Sequence, residues 1–113
     1  MASLRETQHQ FAKMVPRLID KAHELGFQVT LGETYRSLEE ARRLARTGAG
    51  VQMSLHCDRL AIDLHLFVDG VYQTQSEVHR PLGEWWESQG GSWGGRFTRP
   101  DGNHYSLQYQ GRR

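Results

Sequence analysis

Two histidines and two aspartates stand out for what their side chains can do together. His56 and Asp63 lie seven positions apart in SLHCDRLAIDLHLF (residues 54–67), and Asp101 and His104 lie three apart in RPDGNHYSLQY. Imidazole nitrogens and a carboxylate oxygen are donors to zinc, and a catalytic zinc usually takes three protein ligands and keeps a fourth position open. His56, Asp63 and His104 make up such a set. Asp101 is then a carboxylate placed to take a proton from an attacking water, which is what metal-assisted hydrolysis requires. The chain has no HExxH run, so no single local motif carries the assignment.

Whether these side chains meet depends on the elements that carry them. In LAIDLHLF, alternate residues face opposite sides of a strand: Leu60, Ile62, Leu64 and Leu66 on one, Ala61, Asp63, His65 and Phe67 on the other. His56 stands at an odd separation from Asp63, so the two converge only if Cys57-Asp58-Arg59 turns. The turn Pro100-Asp101-Gly102-Asn103 delivers His104 to the start of a last strand, Tyr105 to Tyr109. Blander readings stay open at this point. An aspartate on a strand's polar face is more often solvated or ion-paired than a metal ligand. His9, His23 and His79 read as surface or hydrogen-bonded residues, Cys57 as a small buried thiol, and His65 as support or packing beside Asp63.

Around this centre the pattern is α+β. Phe11, Met14, Leu18 and Ala22 recur at helical spacing in a stretch from Leu4 to Leu25, with Gly26 as a stop and Pro16 predicting a kink or a second start. FQVTL, Phe27 to Leu31, reads as a short strand. Ser37-Leu38-Glu39-Glu40 is a capping box opening a helix to about Arg46, closed near Gly48. A glycine-rich loop over 47–53 follows. Leu60 to Phe67 is the strongest strand and Asp69-Gly70 turns out of it. Pro81 to Glu87 reads as a helix with proline in its first turn. Trp85 or Trp86 belongs in the core, and glycine-flanked Trp93 reads as a pocket wall. These elements predict one small domain over 1–113, an antiparallel sheet with flanking helices.

Composition excludes several classes. Fourteen basic against 13 acidic residues give a net charge of +1, and the basic residues are scattered, so no nucleic-acid footprint is present. A single cysteine excludes an intramolecular disulfide and a CxxC zinc knuckle. MASLRETQHQFAK holds no apolar signal core, and no apolar run approaches the roughly 20 residues that cross a bilayer. Cytoplasmic synthesis without membrane insertion is the expectation.

The motifs also resemble a known family. SLHCDRLAID fits SxHxxxxAxD and DGNHYSL fits D/ExxH, both of the zinc peptidases related to D-Ala-D-Ala carboxypeptidases. GETYRS, RPLGEWWESQGG and WGGRF occur with them in the expected order. The nearest resemblance is to the short phage-encoded L-alanyl-D-glutamate endopeptidases. It implies a fold shared with hedgehog-type domains, zinc on His56, Asp63 and His104, and Asp101 as acid/base. It implies that Arg36 is directed at a substrate carboxylate or oxyanion and that Ser54 supports substrate binding. The implied substrate is the peptidoglycan stem peptide. The enzyme is expected as a monomer, held in the host cytoplasm until the membrane is permeabilised. Arg59 stands where relatives carry glycine, and His65 where the phage branch has asparagine. Two alternatives share these residues: a D,D-carboxypeptidase or dipeptidase, and a non-catalytic peptidoglycan-binding module.

Overall fold

The first helix opens on Ser3, whose hydroxyl accepts from the Glu6 amide while the Glu6 carboxylate accepts from the Ser3 amide. In this computed structural model, which describes residues 2–50 and 53–113, α1 then runs unbroken from Leu4–Glu24. Pro16 therefore starts no second helix. Thr7, Phe11, Met14, Leu18 and Ala22 bury one continuous face, and that packing carries α1 across the hydrogen bond a proline cannot donate. Strand β1 (Gln28–Leu31) follows, then α2 (Leu38–Thr47), which ends on Gly48 in the left-handed conformation. Only half of the expected capping box forms at Ser37. Its hydroxyl accepts from the Glu40 amide, but the Glu40 carboxylate pairs with Arg43 instead. Of the expected loop over 47–53, residues 51 and 52 lie outside the described residues.

The sheet is antiparallel in the order β1-β2-β5-β4. It is built on β2 (Ala61–Val68), with β4 (Ser92–Trp93) and β5 (His104–Ser106) on one side. The Asp69-Gly70 turn leads into β3 (Val71–Tyr72), which pairs with the outer end of β2. Helix α3 (Arg80–Ser88) packs against β4 and α1. Leu60, Ile62, Leu64 and Leu66 are buried as the alternation required. They meet α1 and α3, where Phe11 packs edge-on to Trp86 at 6.1 Å. Trp86 is the core tryptophan; its indole N–H donates to the carbonyls of Ser92 and Ser106, so the burial leaves no orphaned donor. Among the described residues, no helix is long and apolar enough to cross a membrane.

Candidate metal centre and active-site cleft

The β2–β5 register sets Asp63 directly opposite His104, so two of the donors are neighbours across adjacent strands. His56 reaches them from a 3-10 turn over Leu55–Asp58. Ser54 caps that turn, its hydroxyl accepting from the His56 amide at 3.1 Å. Arg59 ends it with φ 57°. That backbone state favours glycine, the residue the resemblance led one to expect at this position. Here the Arg59 guanidinium sits 4.1 Å from the centre of the Tyr35 ring, an attraction that offsets the strain. This is the turn that the odd spacing of His56 and Asp63 demanded. His56 Nε2 lies 3.3 Å from Asp63 Oδ1, and His104 Nδ1 lies 3.8 Å from the same oxygen.

The segment from Gly32 to Arg36 wraps these donors with backbone hydrogen bonds. Gly32 N–H donates to the Asp63 carbonyl at 2.7 Å, Asp63 N–H to the Glu33 carbonyl at 2.9 Å, and Arg36 N–H to the His56 carbonyl at 3.1 Å. His56 Nδ1 is 3.0 Å from the Thr34 carbonyl. Since a carbonyl only accepts, Nδ1 carries the proton and the lone pair of Nε2 faces Asp63. Gly32 has to be glycine for this approach: a Cβ there would stand 2.7 Å from His65 Nε2 and 2.9 Å from the Asp63 carbonyl.

Asp101 comes from a separate scaffold. Its N–H donates to Gly94 O at 2.9 Å, and its own carbonyl accepts from His104 N–H at 3.1 Å. The Trp93 indole N–H donates to Gly102 O at 2.7 Å, clamping the same turn. Trp93 is only 2% exposed and packs against Gly83 and Gly95, so it is no pocket wall. Of the flanking glycines, Gly95 admits the indole into the core while Gly94 makes room for the Asp101 carbonyl and His104, which corrects the reading of them as a sign of exposure. Cys57 is half-buried rather than buried, and burial pushes its thiol up. His65 Nδ1 contacts the Tyr72 hydroxyl at 3.3 Å.

Arg36, Ser54, His56, Asp63, Asp101 and His104 line one cleft. Sequence reasoning missed four residues here. Glu33 binds Arg36, Gly32 admits the wrapping segment, and Phe97 and Arg113 form the rim. The first two had a signal in GETYR, a glycine and an acid close before the arginine. Phe97 closes the WGGRF motif, whereas Arg113 had no signal, because only the tertiary fold brings it to the cleft. Burial pulls His104 down to about 4, with the neighbouring His56 adding to it, so its imidazole is neutral and able to donate a lone pair. Burial opposes charge on His56 too, but the Asp63 carboxylate raises it overall. Asp101 is exposed as a residue. Desolvation of its carboxyl, together with the Asp63 charge, holds it above the usual carboxylate range against the pull of His56 and Arg36.

The three donors fit a divalent metal. Asp63 Oδ1 is buried and accepts no hydrogen bond, although two imidazole nitrogens flank it. Two ligands about 2.0–2.1 Å from a tetrahedral zinc sit about 3.3 Å apart, close to the spacing found. One donor atom from each residue lies within 4.8 Å of the others, and among the described residues no other such group of three is present.

Residues 47–107 match the model of the D-alanyl-D-alanine carboxypeptidase family, a span that holds all four residues. Among solved structures, the chain is similar to the Serratia marcescens L-Ala D-Glu endopeptidase ChiX, with a TM-score of 0.69 and 22% identity over 83% of this chain and 77% of that one. At that identity the likeness is one of fold. No curated protein gives a significant sequence match. With more than half of its length covered by the family model, the chain belongs to the D-alanyl-D-alanine carboxypeptidase family and is a metallopeptidase directed at peptidoglycan.

Proposed function

We propose that this chain is a zinc-dependent endopeptidase that cleaves the L-alanyl–D-glutamate bond of peptidoglycan stem peptides. The observation that carries the reading is the meeting of His56, Asp63 and His104 with a fourth, non-ligating carboxylate, Asp101, in a single cleft. A structural zinc site closes with four protein ligands, whereas this one offers three and a base, which favours catalysis over a binding module. The choice of bond is supported by the fold it shares with ChiX, itself described as an L-Ala D-Glu endopeptidase.

When bound, the metal supplies Lewis acidity, polarising the scissile carbonyl and lowering the pKa of water toward about 7. His56 and His104 donate nitrogen lone pairs and Asp63 an oxygen. The Thr34 carbonyl fixes the His56 tautomer that this requires. Asp101 takes the proton from the attacking water and returns it to the leaving amine. Its raised pKa brings it nearer the pH at which a carboxylate can do both. Arg36 donates hydrogen bonds to oxygen at the reacting carbonyl, and Ser54 holds His56 in register while lining the cleft beside the substrate.

The test is digestion of purified peptidoglycan followed by mass spectrometry of the released peptides. New amino termini on D-glutamate, paired with free L-alanine carboxyl groups, are the expected products. Release of single terminal D-alanines would instead assign a carboxypeptidase.

A further inference from the structure

Two arginines line the cleft, and the structure uses them differently. Arg36 is already spent. Its Nε and Nη2 both donate to Glu33 Oε1, at 2.9 and 2.5 Å, and its side chain is only 12% exposed. The pair is formally neutral, so Arg36 can still donate a hydrogen bond, but Glu33 offsets part of its attraction for an anion. Arg113 has no Asp or Glu side chain within ion-pair distance among the described residues.

Arg113 is also held where a substrate would pass. Its guanidinium lies 5.5 Å from the centre of the Phe97 ring, and that ring lies 5.3 Å from the imidazole of His104. Tyr109 and Arg112 exchange backbone hydrogen bonds at 3.1 and 3.0 Å around Gln110 and Gly111, both at positive φ. Arg112 then pairs with Asp58 at 2.6 Å, on the turn that carries His56. The segment is thus fastened to the metal centre by one arginine, and the next arginine is left for the cleft. An extended peptide advances about 3.3–3.6 Å per residue, so a carboxylate one or two residues from the scissile carbonyl comes within reach of this rim.

We propose that Arg113 is a specificity-determining residue that binds a free substrate carboxylate beside the scissile bond, so that the cleft prefers acidic stem peptides to amidated ones. In stem peptides D-glutamate is linked through its side chain, and its α-carboxyl is either free or amidated. This difference is what a lone guanidinium discriminates, since the charged partner gains a charge-assisted hydrogen bond that the amide cannot offer. The inference rests on the reading of the cleft as a peptide-hydrolysing site.

The test uses two synthetic peptides, L-Ala-γ-D-Glu-L-Lys and the same peptide with the glutamate α-carboxyl as the amide. The zinc-loaded protein should cleave the acid with kcat/KM about tenfold higher, mostly through KM, as expected for a hydrogen bond between charged groups. The preference should shrink as salt rises, because the site is open to solvent. Arg113→Gln should bring the ratio of the two substrates close to one, and Arg113→Lys should restore part of it. Bound zinc per chain should be equal in all three proteins. A ratio that survives in Arg113→Gln, or no preference in the wild type, overturns the assignment and leaves the peptidase reading standing. Cleavage of neither peptide by the wild type overturns both.

Discussion

Removing the metal should destabilise this protein by an amount that follows from the three converging donors. Without a cation, Asp63 Oδ1 is a buried carboxylate oxygen with no hydrogen bond, facing imidazole nitrogens at 3.3 and 3.8 Å. That oxygen is desolvated and only the His56 ring offsets its charge, so the folded metal-free state carries a cost that zinc relieves. A ligand that binds only the folded state stabilises it by RT ln(1 + [L]/Kd), about 4.1 kcal/mol at a thousandfold excess over Kd. Unfolding entropy near 2.1 cal/mol/K per residue, taken over 113 residues, is about 0.24 kcal/mol/K, so saturation with zinc should raise Tm by about 17 °C. Differential scanning calorimetry at neutral pH, with chelator and then with zinc restored, measures this directly. Asp63→Asn should abolish most of the shift. A Tm indifferent to chelator, or an Asp63→Asn protein with the full zinc shift, would refute the reasoning.

Three further outcomes follow from the same geometry. Asp101→Asn should keep its zinc and its Tm while losing about 10²–10⁴-fold in kcat, the usual contribution of a positioned acid/base; loss of zinc in this variant would make Asp101 a ligand. Gly32→Ala should weaken zinc binding and activity together, read by competition with a chromophoric chelator, because the added Cβ pushes on His65 and the Asp63 carbonyl. His79 is 3% exposed and hydrogen-bonded to the Tyr105 hydroxyl at 2.7 Å, and burial, helped by nearby His65, pulls it down to about 4. The unfolded chain takes up that proton near pH 6.5 and the folded chain only near 4, so stability falls as pH drops through this window. The loss is up to about 3 kcal/mol and levels off below it. Urea unfolding of the chelated protein should show a steeper decline from pH 7 to 4 than His79→Gln shows, and equal slopes would dismiss the assignment.

The fold and the donors were legible because their signals are local or alternate along one strand. The apolar face of β2, the acid-histidine spacing and the turn before His104 all appear in short stretches, and each element lies within a few residues of its expected place. Strands β3 and β4 were not legible, since two-residue strands have no alternation to read and exist only because β2 and β5 present free edges to them. The last strand forms as His104–Ser106 instead of extending to Tyr109, because Ser106 already stands opposite Ala61 and Ser92, the first residues of β2 and β4. Trp93 was misread for a related reason: glycines beside an aromatic can open a pocket or admit a buried ring, and only packing tells which.

The segment from Gly32 to Arg36 shows most clearly what sequence reasoning can and cannot reach at such a site. It orders both His56 and Asp63, yet nearly all of its grip is backbone to backbone, which most residue types could supply. The exceptions are the two places where a side chain must be present or absent. Gly32 leaves the space that Asp63 and His65 need, and Glu33 neutralises Arg36. The arginine singled out by the motif is therefore not the free charge of the cleft. That part falls to Arg113, some eighty positions away, whose place depends on a turn, a salt bridge to Asp58 and the Phe97 ring. A motif names the residues that meet the reacting atoms. The charge left over to choose among substrates is settled by which carboxylates the fold has already paired.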